Sequence, residues 1–592
     1  MPKYLMPVGN TDFKEIRETG LYYIDKTMLI DQLVGQSAAK VTLFTRPRRF
    51  GKSLNMSMLQ HFFDIRENNK DLFDGLAISK NKELYDEWRN KYPTILVSFK
   101  DVGSSNFNTA FGLLKSVISK LYENHKYLFE DNDSISRMQR KLIDMFLMRE
   151  AATADLTDCL YLLTDIMYHK YDNTPVILLI DEYDVPMAKG DSNGYYRDIT
   201  DIMSVMLSKA LKDNPYIKCA VLTGCLRIAE ESIFTGLNNP AINTIVETGY
   251  DECFGFTNED MKKLLTDTGL IDKMPVFKEW YDGYIFGNRE VYCPWDVLNY
   301  VDALQTDPNQ PPMNYWANTS GNDVIKRFLK SNLNVNKDFE TLLSGGYIEK
   351  RINPNITYDN LTQNYSSDKE FDPMKLETNL WSILYMTGYL TILPGSLPKM
   401  TSNDPKQVKG MYQVPFKLRL PNNEIKMLFE ETIALWFREK TCRDSRDDLF
   451  KALWDGDAAA LANIISRYLR TTISFYDYSE SFYHAFLAGL FSGIGDIGVT
   501  PNHRPGGIHI KSNREYGEGR ADVVIENRVT HTAAVLEFKV AENITDVSSM
   551  CDVALSQIHD IGYAEALQED EGYDLISYGV IFYKKRCFIK KG

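Results

Sequence analysis

VTLFTRPRRFGKSLNMSML, residues 41–59, reads as a strand, a polar loop and the start of a helix. VTLF is β-branched and apolar, and SLNMSMLQHFFDI, which begins at Ser53, has helical apolar spacing. A loop that cradles phosphate needs backbone N–H groups converging at a helix N-terminus, a lysine for the outer phosphates and a hydroxyl for Mg²⁺. Gly51 allows the close backbone approach, Lys52 reaches the β- and γ-phosphates, and Ser53 ligates the metal. One feature departs from the G-x-x-x-x-G-K-[ST] pattern: Arg46 stands where its first glycine is expected.

The stretches around this loop supply the rest of a nucleotide site. Apolar runs TILVSF (94–99), VILLI (176–180) and KCAVLTG (218–224) alternate with helical segments. That alternation predicts a parallel sheet covered on both faces and makes residues 1–250 one α/β unit. VILLI ends in Asp181-Glu182, where the first carboxylate can hold Mg²⁺ through water and the second can polarise an attacking water. Thr223 at the end of the next strand is placed to sense the γ-phosphate, and Arg227 just beyond it to contact phosphate.

At 592 residues the chain exceeds a single hydrophobic core and is expected to form about three or four compact units. From 251 to 440 the character is helical, with Thr257 as a helix N-cap before acidic residues. Within that stretch, LWSILYMTGYLTI, the Pro/Gly/Ser-rich stretch 394–410, YQVPFKLRL, PNNE and a following helix read as a winged-helix-like unit with a long hairpin tip. Residues 441–592 begin with the charged helical stretch TCRDSRDDLFKALWDGD and end in strands. The net charge of −14 argues against coating nucleic acid by bulk electrostatics and leaves room for a local basic groove. The clearest basic cluster, Lys584-Lys585-Arg586 with Lys590-Lys591, reads as the solvated end of a last strand. Eight scattered cysteines without a C-x-x-C pair indicate reduced thiols, not a zinc site or a disulfide framework. No apolar run approaches the roughly 20 residues of a membrane span, and MPKYLMPVGNTDFKEIRE lacks the pattern of a signal peptide, so a cytoplasmic protein without membrane association is expected.

YYIDKT (22–27), FTRPRRFGKSLNMSML (44–59), LLIDEYD (178–184), LTGCLRIAEESIFTGLNN (222–239), WYDGYIFG (280–287) and YWANTSGND (315–323) together resemble the AAA-ATPase-like proteins that carry a C-terminal PD-(D/E)xK nuclease-superfamily domain. The resemblance covers nearly the whole chain. It implies an AAA-like P-loop parallel sheet, a middle helical and winged-helix-like region, and a C-terminal α/β restriction-endonuclease-like domain. It also implies that Arg46 is a family trait and that the loop is held by Arg46, Pro47, Arg48, Arg49, Phe50, Gly51, Lys52, Ser53 and Leu54 about ATP and Mg²⁺. YYIDKT is expected near the base, although a plain capped turn also accounts for Asp25 and Thr27.

At the C-terminal end, EGRADVVIEN places Asp522 at the start of one strand, and AAVLEFKVA places Glu537 and Lys539 on one face of the next, with Phe538 on the other. Acidic groups converging on divalent metal with a lysine near the attacking water are what phosphodiester hydrolysis needs. E-x-K alone is common, but AAVLEFKV is too apolar for a solvated edge. Glu480 shares a helical face with His484 and can complete the metal shell. The superfamily resemblance carries over Asp522, Glu537 and Lys539, with Glu480, Gln557 and Tyr563 as further members.

The leading expectation is an ATPase whose nucleotide cycle controls a Mg²⁺-dependent nuclease acting on nucleic acid, DNA before RNA, in defence or mobile-element biology, with homo-oligomers allowed. The alternative is a nucleotide-switch scaffold whose nuclease-like domain binds without cutting. A phosphotransferase is disfavoured because no pocket for a small acceptor is evident.

Overall fold

The computed structural model describes residues 4–36, 39–130, 135–227, 240–316, 336–353, 373–396, 414–440, 446–472, 508–516, 519–528, 530–560 and 572–592, with Tyr483, Phe486, Leu487, Leu490 and Phe491. The chain divides into two compact units: residues 1–320 with 349–425, and residues 321–348 with 426–592.

The first unit is built on five parallel strands, β1 (Val41–Thr45), β2 (Thr94–Ser98), β3 (Val176–Asp181), β4 (Ile217–Gly224) and β5 (Ala241–Asn243), in the order β2-β3-β4-β1-β5. Every residue of β1 and β3 is buried, as expected of apolar strands covered on both faces. Leu114 and Ile118 of helix Phe107–Asn124, Leu163 of helix Cys159–Lys170, and Met203 and Leu207 of helix Tyr196–Leu211 share one core with Ile95, Val97, Leu178, Ile180 and Leu222. Insertion of β1 between β4 and β5 brings Phe44 opposite Thr223, while Ser98 pairs with Asp181. The polar C-terminal ends of these strands therefore meet at one edge of the sheet, where open α/β folds place ligands.

The same unit contains a small antiparallel sheet of β6 (Phe256–Thr257), β7 (Tyr284–Phe286) and β8 (Arg289–Tyr292), ordered β6-β8-β7. Thr257 caps helix Asn258–Thr268, accepting the Asp260 N–H while Asp260 accepts the Thr257 N–H. A further sheet, β10-β11-β9, comprises β9 (Ile348–Lys350), β10 (Thr391–Ile392) and β11 (Phe416–Arg419). Helix Pro373–Met386, the antiparallel pair β10 and β11, and helix Asn423–Lys440 give the expected helix–hairpin–helix order. Of the stretch 394–410 expected to form the tip, residues 397–410 lie outside the described residues. Within this region the Glu424 carboxylate accepts the Tyr315 and Trp316 N–H groups, and Trp316 stacks on Tyr389.

The second unit is organised around a mixed sheet of β12 (Ile508–Tyr516), β13 (Gly519–Asn527), β14 (Thr532–Val540), β15 (Asp574–Tyr583) and β16 (Arg586–Lys591), in that order. The β14–β15 pair is parallel and the others antiparallel. Helix Val547–Asp560 provides the crossover and packs Leu555 and Ile558 against Val524 and Val535. Lys590 and Lys591 of the basic cluster are the exposed end of the last strand, as expected, whereas Lys584 and Lys585 form the turn between β15 and β16, with Lys584 at φ +53°, and Arg586 opens β16. No helix among the described residues is long and apolar enough to cross a membrane.

Candidate functional site

β1 delivers the chain into the loop 46–51, and helix Lys52–Phe63 leaves it. Gly51, at φ +83°, is the helix N-cap, and no side chain bonds the first helical N–H groups. A helix start left in this form presents N–H groups and a positive dipole end to an anion. Arg49 is also left-handed, at φ +72°.

The Lys52 ammonium is buried and donates to the carbonyls of Arg46 (3.1 Å) and Pro47 (3.0 Å), with a Glu182 carboxylate oxygen 3.4 Å away. Burial opposes its charge, but Cys225, Glu182, Asp184 and Asp181 together raise its pKa. Burial pushes the Cys225 thiol up to about 12, so at neutral pH the carboxylates hold the ammonium charge.

Ser53 donates its hydroxyl to Asp181 Oδ2 at 2.7 Å, and Thr223 donates to Oδ1 at 2.5 Å. Ser98 reaches the same carboxylate at 3.3 Å. Burial, then the neighbouring Glu182 charge, raises the Asp181 pKa. A hydroxyl beside a carboxylate that lacks full solvation is an all-oxygen donor set suited to Mg²⁺. Glu182 sits at φ +53°, a strained position for a side-chain-bearing residue, which turns it off the strand toward Lys52.

The other loop residues are spent differently. Arg46 is fully buried; its guanidinium donates to the carbonyls of Thr45 (2.9 Å) and Asn243 (2.8 Å) and lies over the rings of Phe254 and Phe286. Burial lowers its pKa to about 10. Arg46 thus ties β1 to β5 behind the loop, a job a glycine cannot do. Phe50 packs against Tyr284 and Phe286, and Pro47 lies against Gly388. Arg48 is raised by Cys225, Asp184 and Glu182, and so faces the acidic edge of the site. Arg49 stacks over Trp295 at 4.4 Å and donates to the Tyr315 carbonyl at 2.9 Å. Leu54 follows in the first helical turn. Arg227 ends the described stretch after β4, and its buried Nε has no hydrogen-bond partner among the described residues. Asp25 and Thr27 form a local turn, with Asp25 accepting the Thr27 N–H and hydroxyl and also the Ala77 N–H.

Asp184, the last residue of LLIDEYD, fastens two strand exits together. Its buried carboxylate accepts the Cys225 and Leu226 N–H groups, each at 2.9 Å, and fastens the β3 exit to the β4 exit. Burial and Glu182 push its pKa up to about 6. The signal available in the sequence was an acidic residue too close to an apolar strand end to be solvated.

In the second unit the β13–β14 register pairs Val523 with Leu536, and one further step sets Asp522 opposite Glu537 on the same face. Asp522 Oδ2 accepts the Phe538 N–H at 3.0 Å, and Glu537 is only 3% exposed. Lys539, on the face of Glu537, donates to Gln557 Oε1 at 2.7 Å. Phe538 points to the opposite face, toward Phe582, which stacks on Tyr483. Helix Val547–Asp560 carries Gln557 to the carboxylate face because Gly579, the β15 partner of Glu537, has no side chain: a Cβ there would lie 2.6 Å from the Cys551 carbonyl. Asp522, Glu537, Lys539 and Gln557 are thus brought to one face. Glu480, His484 and Tyr563 lie outside the described residues. Among the described residues no three His, Cys, Asp or Glu side chains cluster as a metal site; Asp522 and Glu537 are two donors of a set that Glu480 was expected to complete.

Comparison with known proteins agrees with both halves. Residues 7–234 match the family described as predicted AAA-ATPase, and residues 479–592 match the PD-(D/E)XK nuclease superfamily. Over 583 residues the chain is 24% identical to a protein of Azotobacter chroococcum mcd 1 described as "Uncharacterized protein in vnfD 5'region", covering 95% of this chain and 94% of that protein. No solved structure matches. The two matches agree with the architecture that the sequence suggests, an AAA-ATPase-like region in the N-terminal half and a PD-(D/E)XK nuclease-superfamily region at the C-terminal end.

Proposed function

We propose that the first unit binds and hydrolyses ATP with Mg²⁺ and that its nucleotide cycle controls metal-dependent cleavage of nucleic acid, DNA in preference to RNA, by the second unit. The observation that carries this reading is the meeting of Lys52, Ser53, Asp181, Glu182 and Thr223 at one sheet edge beside an uncapped helix start. In it, the loop N–H groups and Lys52 hold the phosphates, and Ser53 and Asp181 hold Mg²⁺. Glu182 orients water, and Thr223 and Arg227 face the outer phosphate. Bound Mg²⁺ supplies charge neutralisation of the phosphates.

Asp522 and Glu537 hold the metal of the second unit, Lys539 stands beside the attacking water and Gln557 positions Lys539. A defence or mobile-element setting and a cytoplasmic location fit this pairing of activities. Hydrolysis of ATP by the full chain, compared with Lys52→Ala and Glu182→Gln, tests the first half. Loss of about 100-fold or more in both variants is expected, and unchanged hydrolysis in either overturns its assigned role.

A further inference from the structure

Two groups outside the phosphate-binding loop grip it. Gly388, at φ +87°, lets the chain press against Pro47, so that a Cβ there would lie 2.9 Å from the Pro47 Cβ. Gly388 precedes Tyr389, whose ring stacks on Trp316 at 5.5 Å. The second grip is on Arg49, whose guanidinium is fixed by the Trp295 ring and the Tyr315 carbonyl. The Tyr315 and Trp316 N–H groups both donate to Glu424 Oε1, at 2.6 and 2.9 Å. Glu424 is fully buried in the first turn of helix Asn423–Lys440.

Beneath this contact lies a second buried carboxyl, Asp296, next in sequence to Trp295. Among the described residues Glu424 Oε2 and both Asp296 oxygens are buried without a hydrogen bond, and burial raises the pKa of both acids. For Glu424 the neighbouring Asp296 charge adds to the effect of burial. Burial lowers the Arg49 pKa, and the charges of Asp296 and Glu424 oppose that fall.

We propose that Glu424, through the Tyr315 backbone, positions Arg49 and with it the phosphate-binding loop, so that nucleotide binding is felt in the first turns of helix Asn423–Lys440. This rests on the reading of the loop as a nucleotide site. The boundary between the two units falls after Ile425, inside this helix, so the helix is the chain's own continuation from the loop's grip toward residues 426–592.

Hydrogen–deuterium exchange of the full chain with and without MgATP, with nucleotide affinity measured on the same samples, tests the proposal. Wild type is expected to exchange several-fold more slowly over residues 423–432 when MgATP binds. Glu424→Gln keeps an acceptor for the two N–H groups and a donor toward Asp296, and is expected to retain that response. Glu424→Ala is expected to lose the response and to bind MgATP about tenfold more weakly, the equivalent of one lost hydrogen-bonding group.

Should Glu424→Ala fail to fold, Arg49→Lys, which keeps the charge but loses the planar stack on Trp295, is expected to lose the response in the same way. Wild type that binds MgATP with unchanged exchange at 423–432 overturns the relay and leaves the nucleotide site standing. So does a foldable Ala or Lys variant that responds as wild type does. Wild type that binds no nucleotide overturns the nucleotide reading and the relay together.

Discussion

The Lys52 ammonium lies 3.4 Å from a carboxylate oxygen of Glu182, and both side chains are largely withdrawn from solvent. The lysine is thus a counter-ion to the acidic strand exit as well as the proposed phosphate ligand, and the two roles separate by mutation. Lys52→Ala leaves Asp181, Glu182 and Asp184 without this buried cation and is expected to destabilise the first unit by about 3 kcal/mol. Glu182→Gln leaves the ammonium its Arg46 and Pro47 carbonyls and is expected to fold normally while losing hydrolysis. Urea denaturation beside ATPase assays checks the contrast.

Arg46→Lys separates support of the loop from contact with phosphate. Lysine cannot span both the Thr45 and Asn243 carbonyls or lie flat between Phe254 and Phe286. A stability loss of about 2 kcal/mol is expected, with MgATP affinity within a few-fold of wild type once both proteins are folded. Thermal melts and nucleotide titrations give the two values.

Asp184 makes stability depend on pH in a direction opposite to a salt-bridged carboxylate. Its folded pKa, about 6, stands above the ordinary 3.8. Between these values the folded state binds the extra proton, so the group's contribution falls as pH rises through this window. Asp184→Asn keeps an acceptor for Cys225 and Leu226 but does not titrate. The difference in stability, variant minus wild type, is expected to grow in the variant's favour from pH 4 to pH 6 and then level off, as read by denaturation midpoints.

Gly579→Ala tests the nuclease-like face without touching a proposed catalytic group. The added methyl meets the Cys551 carbonyl, so helix Val547–Asp560 must shift and carry Gln557 away from Lys539. A loss of about 1–3 kcal/mol is expected, with a fall in cleavage at a temperature where the variant stays folded.

Much of this was legible because the signals are local. The loop at 46–53, the acid-tipped strand VILLIDE and the alternation in AAVLEFKV each lie within a few residues, and strand burial follows directly from their apolar runs. Contacts made across long sequence separations were not legible. Arg46 looked like a phosphate ligand by position, yet its carbonyl partner Asn243 and ring partners Phe254 and Phe286 are about 200 to 240 residues away in a chain that only folding brings together. The Asp184 bonds to Cys225 and Leu226, and the link from Arg49 through Tyr315 to Glu424, have no spacing rule that a sequence exposes. The grouping of Lys539 with Gln557 depends on a helix approach that Gly579 permits.

Cleavage of linear DNA by the full chain in Mg²⁺, with and without ATP, compared among wild type, Lys52→Ala and Asp522→Ala, tests the central claim most directly. Wild type is expected to cut at a rate that changes with ATP, Lys52→Ala to lose that dependence, and Asp522→Ala to lose cutting. Equal cleavage by wild type and Asp522→Ala would contradict the nuclease assignment, and wild-type cleavage indifferent to ATP would contradict nucleotide control.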